Sequence, residues 1–190
     1  MVGLERIIRS FISVDVEDDK LLDVFQTLQR RLVETGNVFK LVERSNMHIT
    51  LRFLGNIPES LVKRVMKGLE ELKFRQFRME FKGLGVFPSR SYVRVVWVGV
   101  GEGVDELRDI HVQLNGILGR LGFKSERFSP HLTLARVKAV RSRAELVRLL
   151  QEYDGVSFGS MDVSSVRLKR STLTPRGPVY DTIMEVKPRP

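Results

Sequence analysis

The chain has no cysteine. Disulfides and thiolate metal sites are therefore excluded, and nothing ties the protein to an oxidising compartment. Histidine is also scarce: there are three, with no HxxH pair, so no zinc-ligand spacing is present and no metal or cofactor is expected. No apolar run approaches the roughly 20 residues that a membrane-spanning helix needs. The N-terminal residues read as a strand, not as a charged, then apolar, then small-residue leader. Acidic residues fall short of basic ones, 23 against 32, leaving a net charge of +9 and a pI near 10.2. The expectation is a soluble, cytoplasmic monomer without a membrane anchor, whose field attracts anions. Nucleic acid is the natural partner, and charge kept only for solubility is the alternative.

With 190 residues, 42% of them hydrophobic, the chain is long enough for one substantial core or two small lobes sharing one. Arg6–Val16 is a β-like run rich in branched residues. Asp18 and Asp19 then stand at the start of a helix whose stripe is Leu21, Leu22, Phe25, Leu28 and Leu32, stopped at Gly36. A short strand over Phe39–Val42 leads to a strand beginning near Met47, and a second helix starts near Glu59, after Pro58. Phe74 to Leu84 reads as a strand, and Gly83 to Ser91, with its glycines and Pro88, as a linker. The plan then repeats: strand Tyr92–Val100, helix Val104 to Leu121, strand His131 to Lys138, a helix capped by Ser142, and strand Val156–Val163. A terminal hairpin flanks Thr174–Pro178, and the tail from Lys187 is expected to fray.

The expected fold class is α+β: two lobes related by a pseudo-two-fold axis, antiparallel sheets facing a central cleft, helices outside. Lobe 1 spans about 1–87, lobe 2 about 88–164, and the hairpin 165–186, all in one domain.

Two strands carry the chemistry. Met47 to Gly55 reads Met-His-Ile-Thr-Leu-Arg-Phe-Leu-Gly, and Pro130 to Val137 reads Pro-His-Leu-Thr-Leu-Ala-Arg-Val. Two of the three histidines thus meet one of only seven threonines two positions on, more than chance readily supplies. The period of a strand puts His48 with Thr50 on one face, and His131 with Thr133, opposite apolar neighbours. Hydrolysis by general acid/base catalysis needs a base to take a proton from water and an acid, on the far side of the reacting centre, to protonate the departing oxygen. Two imidazoles can divide those roles near neutral pH, and threonine hydroxyls can donate to oxygens on which charge grows. The residues alone leave open which histidine is which.

Paired His-x-Thr-x motifs, the first followed by Arg-Phe-Leu-Gly, the second preceded by Phe-Ser-Pro and followed by Ala-Arg, resemble the 2H phosphoesterase superfamily. Within it, the likeness is to the RNA 2′,3′-cyclic phosphodiesterases, historically called 2′-5′ RNA ligases. The resemblance implies metal-free hydrolysis of RNA 2′,3′-cyclic phosphate ends, tRNA fragments among them, to 2′-phosphates. It also implies that His48 is the proton donor and His131 the acceptor, and that a reversible 2′-5′ RNA ligase activity accompanies the hydrolysis. It further suggests that Arg136 holds phosphate or base and that Phe53 stacks on a base. Alternation turns both away from their histidines, so they reach the cleft only if the strands bend. Arg52 shares the His48 face by alternation, either as a substrate contact or as a solvated strand-end arginine. His111, on the second-half helix, reads as a surface or boundary residue. Gly99–Gly103 reads as a plain turn, since its GxGxG spacing and Glu102 do not suit a pyrophosphate. The rivals are a phosphodiesterase for small cyclic nucleotides and a noncatalytic RNA-binding module.

Overall fold

Nine strands and four α-helices make up the computed structural model, which describes residues 5–175 and 177–189. In chain order they are β1 (Ile7–Asp15), α1 (Asp19–Glu34), β2 (Val38–Leu41), β3 (His48–Pro58), α2 (Glu59–Leu69), β4 (Phe77–Ser89) and β5 (Tyr92–Val100). There follow α3 (Val104–Gly119), β6 (His131–Ala139), α4 (Arg143–Glu152), β7 (Ser157–Val163), β8 (Val166–Thr174) and β9 (Gly177–Val186). The apolar stripe of α1 is buried, and Asp18 accepts from the Leu21 amide at 2.9 Å to cap it. Among the described residues, no helix is long and apolar enough to cross a membrane.

All strand pairs are antiparallel, in the order β7-β4-β5-β6-β3-β1-β8-β9, with β2 added to β6. The two sheets expected on either side of a cleft are joined into one by a single pair, Ile49 with Leu132. One half holds β1, β3, β8 and β9; the other holds β2, β4, β5, β6 and β7. Helix α1 lies over β6 and β7 beside α4, whereas α2 and α3 lie against β3. The first helix therefore roofs the second His strand, and a helix from the second half of the sequence roofs the first.

Four readings of the sequence are corrected. The segment 83–91 is no linker: Gly83 to Ser89 continue β4, which straddles residues 87 and 88. The glycines serve packing. Gly83 (φ 73°) sits at a bulge between Lys82 and Leu84, and Gly85 lies under the Trp97 ring, which a Cβ there would meet at 2.1 Å. Ser142 precedes α4, but its side chain makes no cap bond; Asn37 instead accepts from the Arg141 and Ser142 amides at 2.7 and 2.9 Å. The tail is docked: Arg189 donates to the carbonyls of Phe74 (backbone N, 2.9 Å) and Glu70 (Nη1, 3.1 Å). His111 is buried, as described below.

Candidate active site

The Ile49–Leu132 pair fixes the site. Continuing its antiparallel register sets His48 opposite Thr133 and Thr50 opposite His131. Ile49 and Leu132 are fully buried on the helix side, so the four polar side chains project together from the other face. In a regular ladder such diagonal partners stand about 7–8 Å apart, and His131 is near enough to influence the titration of His48.

Both His strands then carry the same irregularity. In β3, Thr50 pairs with Ser13 and Arg52 with Ile12, leaving Leu51 as an extra residue; in β6, Thr133 pairs with Trp97 and Ala135 with Val96, leaving Leu134 extra. A bulge three positions past each histidine resets the alternation. Phe53, 61% exposed, and Arg136, also exposed, are thereby returned to the face of the histidines. Arg52 is turned the other way. It is 2% exposed, pairs with Glu126 at 2.5 Å and donates to the Lys124 carbonyl, so it is a strut for the loop before His131 and not a substrate contact.

Each histidine is oriented from behind by a carbonyl two residues upstream. Nδ1–H of His48 donates to Asn46 O at 2.7 Å, and Nδ1–H of His131 to Ser129 O at 2.6 Å. Nε2 is thus the atom left for chemistry, and that of His48 lies 3.0 Å from Thr50 Oγ1. Burial pushes both imidazoles below their ordinary pKa; the two carbonyls oppose it, and at His48 the Asp15 carboxylate does so too.

The rings are walled by aromatics. Phe11 and Tyr180 stand 4.9 and 5.4 Å from the His48 ring, Phe87 and Trp97 4.8 and 6.0 Å from that of His131. Sequence reasoning missed Tyr180, because only the folding of the β8–β9 hairpin brings it to His48. Burial raises its phenol pKa, and the nearby Arg136 and Arg9 charges pull it back.

Two buried polar side chains, also missed, fasten the bulges. Gln29 of α1 donates from Nε2 to the Leu134 carbonyl (2.9 Å) and to the Val42 carbonyl (2.8 Å), on the approach to His48. His111 of α3 places Nδ1 2.8 Å from the Leu51 carbonyl and Nε2 3.0 Å from that of Glu126, on the approach to His131. Its ring stacks on Phe128 at 4.6 Å. Among the described residues, no three His, Asp or Glu side chains gather as a metal-ligand set.

A family model described as LigT-like phosphoesterase matches the chain twice, over residues 14–97 and 98–180. The chain is 47% identical over 162 residues to an RNA 2′,3′-cyclic phosphodiesterase of Aeropyrum pernix, covering 84% of this chain and 92% of that one. It is 40% identical to a protein of the same description from Methanothermobacter thermautotrophicus, covering 94% and 97%. In fold it is similar to a Thermus thermophilus protein of known crystal structure (TM-score 0.79, 25% identity, 95% and 97% covered). It is likewise similar to Escherichia coli LigT complexed with 3′-AMP (TM-score 0.76, 20% identity, 97% and 99% covered). Each match of the family model contains one His-x-Thr strand, and together they span nearly the whole molecule: the chain belongs to the LigT-like phosphoesterase family.

Proposed function

We propose that this protein is an RNA 2′,3′-cyclic phosphodiesterase that opens terminal cyclic phosphates to 2′-phosphates by paired imidazole acid/base catalysis. The observation that carries the reading is the seam at Ile49 and Leu132, which brings two His-x-Thr strands together with all four polar side chains on one face. The 47% identity to a phosphodiesterase of that description supports the substrate class.

In the reaction, His131 Nε2 takes a proton from water as its oxygen attacks phosphorus. The P–O3′ bond breaks in line, and His48 Nε2–H gives its proton to the departing O3′. Phosphate remains on O2′. Thr50 and Thr133 hydroxyls donate to the non-bridging oxygens where charge grows, Arg136 neutralises the dianion, and Phe53 offers a face to a base. The same steps, with a 5′-hydroxyl in place of water, form a P–O5′ bond as P–O3′ breaks and join RNA ends through a 2′-5′ linkage; their reversal cleaves that linkage back to a cyclic phosphate and a 5′-hydroxyl.

The test is phosphorus NMR of the product from an oligonucleotide ending in a 2′,3′-cyclic phosphate. A 2′-phosphate is expected, with His48→Ala and His131→Ala each slowing turnover by about 10²–10⁴-fold. EDTA should leave the wild type active. Activity surviving either substitution would overturn the two-histidine mechanism.

A further inference from the structure

The two halves of the cleft share a plan but not a lining, and the difference falls beneath the histidines. Across the β1–β3 ladder the residue opposite His48 is Asp15; across the β5–β6 ladder the residue opposite His131 is Gly99. Ser13 stands opposite Thr50 where Trp97 stands opposite Thr133. One strand further out, Arg167 pairs with Ser13 and Lys169 with Phe11, whereas Gly85 pairs with Trp97 and Phe87 with Val95. One histidine rests on an ionic floor, the other on an aromatic one.

Packing alone does not call for the ionic floor. Burying a carboxylate and an ammonium costs several kcal/mol before their attraction is counted, and apolar residues of similar volume often serve as well or better. The half around His131 shows such an apolar lining in the same fold. Yet Lys169 is only 8% exposed and donates to Asp15 Oδ2 at 2.5 Å, with Arg167 Nη1 on the same oxygen at 3.1 Å and Ser13 Oγ on Oδ1 at 2.7 Å. Arg167 is held in turn by Glu17 at 2.6 Å and Glu185 at 3.0 Å. Three donors fix the Asp15 carboxylate beside His48, while Nδ1 of that ring is already committed to the Asn46 carbonyl.

We propose that Asp15 is a positioning residue whose fixed carboxylate keeps His48 the proton-carrying partner, dividing the donor and acceptor roles between two otherwise equivalent histidines. The inference rests on the cyclic-phosphodiester reading above. The groups facing His48 are Asp15 from β1, Lys169 and Arg167 from β8, Tyr180 from β9 and His131 from β6, with Arg9 and Arg136 beyond Tyr180. Burial, Lys169 and His131 all favour the neutral ring; the Asn46 carbonyl and Asp15 favour the proton, and Asp15 is the one that bears charge. Among the described residues, the His131 ring has the Ser129 carbonyl and no acidic partner.

The experiment follows the imidazole resonances of His48 and His131 by NMR through a pH titration of the wild type, Asp15→Asn and Lys169→Met. Asp15→Asn is expected to move the His48 midpoint down by about one pH unit and leave that of His131 in place. Lys169→Met should move His48 the other way. With a 2′,3′-cyclic nucleotide as substrate, the alkaline limb of kcat/KM should follow the His48 midpoint. Above that limb Asp15→Asn should be about tenfold slower at an unchanged KM. An unmoved His48, equal shifts of both histidines, or shifts in the same direction in both variants would overturn the proposal. A wild type inert toward cyclic phosphates would instead refute the reaction, and the titrations would still decide whether Asp15 governs the His48 proton.

Discussion

Gln29 and His111 occupy corresponding places in the two halves of the molecule. Each reaches from a helix to the carbonyl of the extra residue in one His strand, and to a carbonyl on the approach to the other His strand. Each therefore braces both histidines at once. Gln29→Leu strips the side-chain donor from the Val42 carbonyl and one of two donors from the Leu134 carbonyl, which keeps the Val42 amide at 2.9 Å. His111→Leu removes the imidazole from the Leu51 and Glu126 carbonyls, the latter still 3.4 Å from Asn115 Nδ2. Each should cost about 1–3 kcal/mol in urea unfolding. A loss within about 0.5 kcal/mol would mean that water replaces the clamp.

The bulges carry a second expectation. Phe53 is turned outward with most of its ring in solvent, so Phe53→Ala should leave the melting temperature unchanged and raise KM for a cyclic-phosphate oligonucleotide. Arg136→Ala should weaken binding and reduce the slope of log K against log salt by about one. A slope near zero in the wild type would instead favour a small cyclic nucleotide as substrate.

Trp97 is the single tryptophan of the chain and stands 6.0 Å from the His131 ring. Its fluorescence should report substrate entering the cleft, and the emission should change as His131 titrates. Gly85→Ala would drive a methyl into that indole. The ring must move, at about 1–3 kcal/mol, with turnover falling as the wall of His131 shifts. Unchanged emission and activity in Gly85→Ala would show that the wall is not needed.

Stability should also follow the histidines. Burial lowers the pKa of both, so the folded state binds fewer protons than the unfolded chain as pH falls below about 6.5, where free histidine charges. Stability is then full above that pH and is lost as pH falls toward the folded-state values. Thermal melts between pH 8 and 5 should show this loss, and a His48→Gln, His131→Gln double variant should lose much of it.

Much of this was legible in the sequence, and the rest had physical reasons to be hidden. Periodicity located the helices and most strands because their apolar stripes are unambiguous, as in Leu21 to Leu32. The bulges at Leu51 and Leu134 were not legible, because a leucine fits either side of the slip; alternation therefore put Arg52 on the wrong face and left Phe53 and Arg136 undecided. His111 reads as a boundary residue on a helical projection, since the Leu51 carbonyl is offered to it only where β3 bulges and the Glu126 carbonyl only once the loop before His131 folds over. Asp15, Lys169 and Tyr180 come to His48 from distant segments, and no local pattern marks them. The glycines of 83–91 looked like a break because local composition does not distinguish a turn from a ring lying on bare backbone.

The exchange of helices between the halves bears on how the molecule assembles. Cleaved at residues 90–91, it would yield an N-terminal fragment in which α1 has lost the strands it covers, and a C-terminal fragment in which α3 has lost β3. Neither piece should fold by itself, while an equimolar mixture should reconstitute the whole. Each half is then the scaffold on which the other's histidine strand is held.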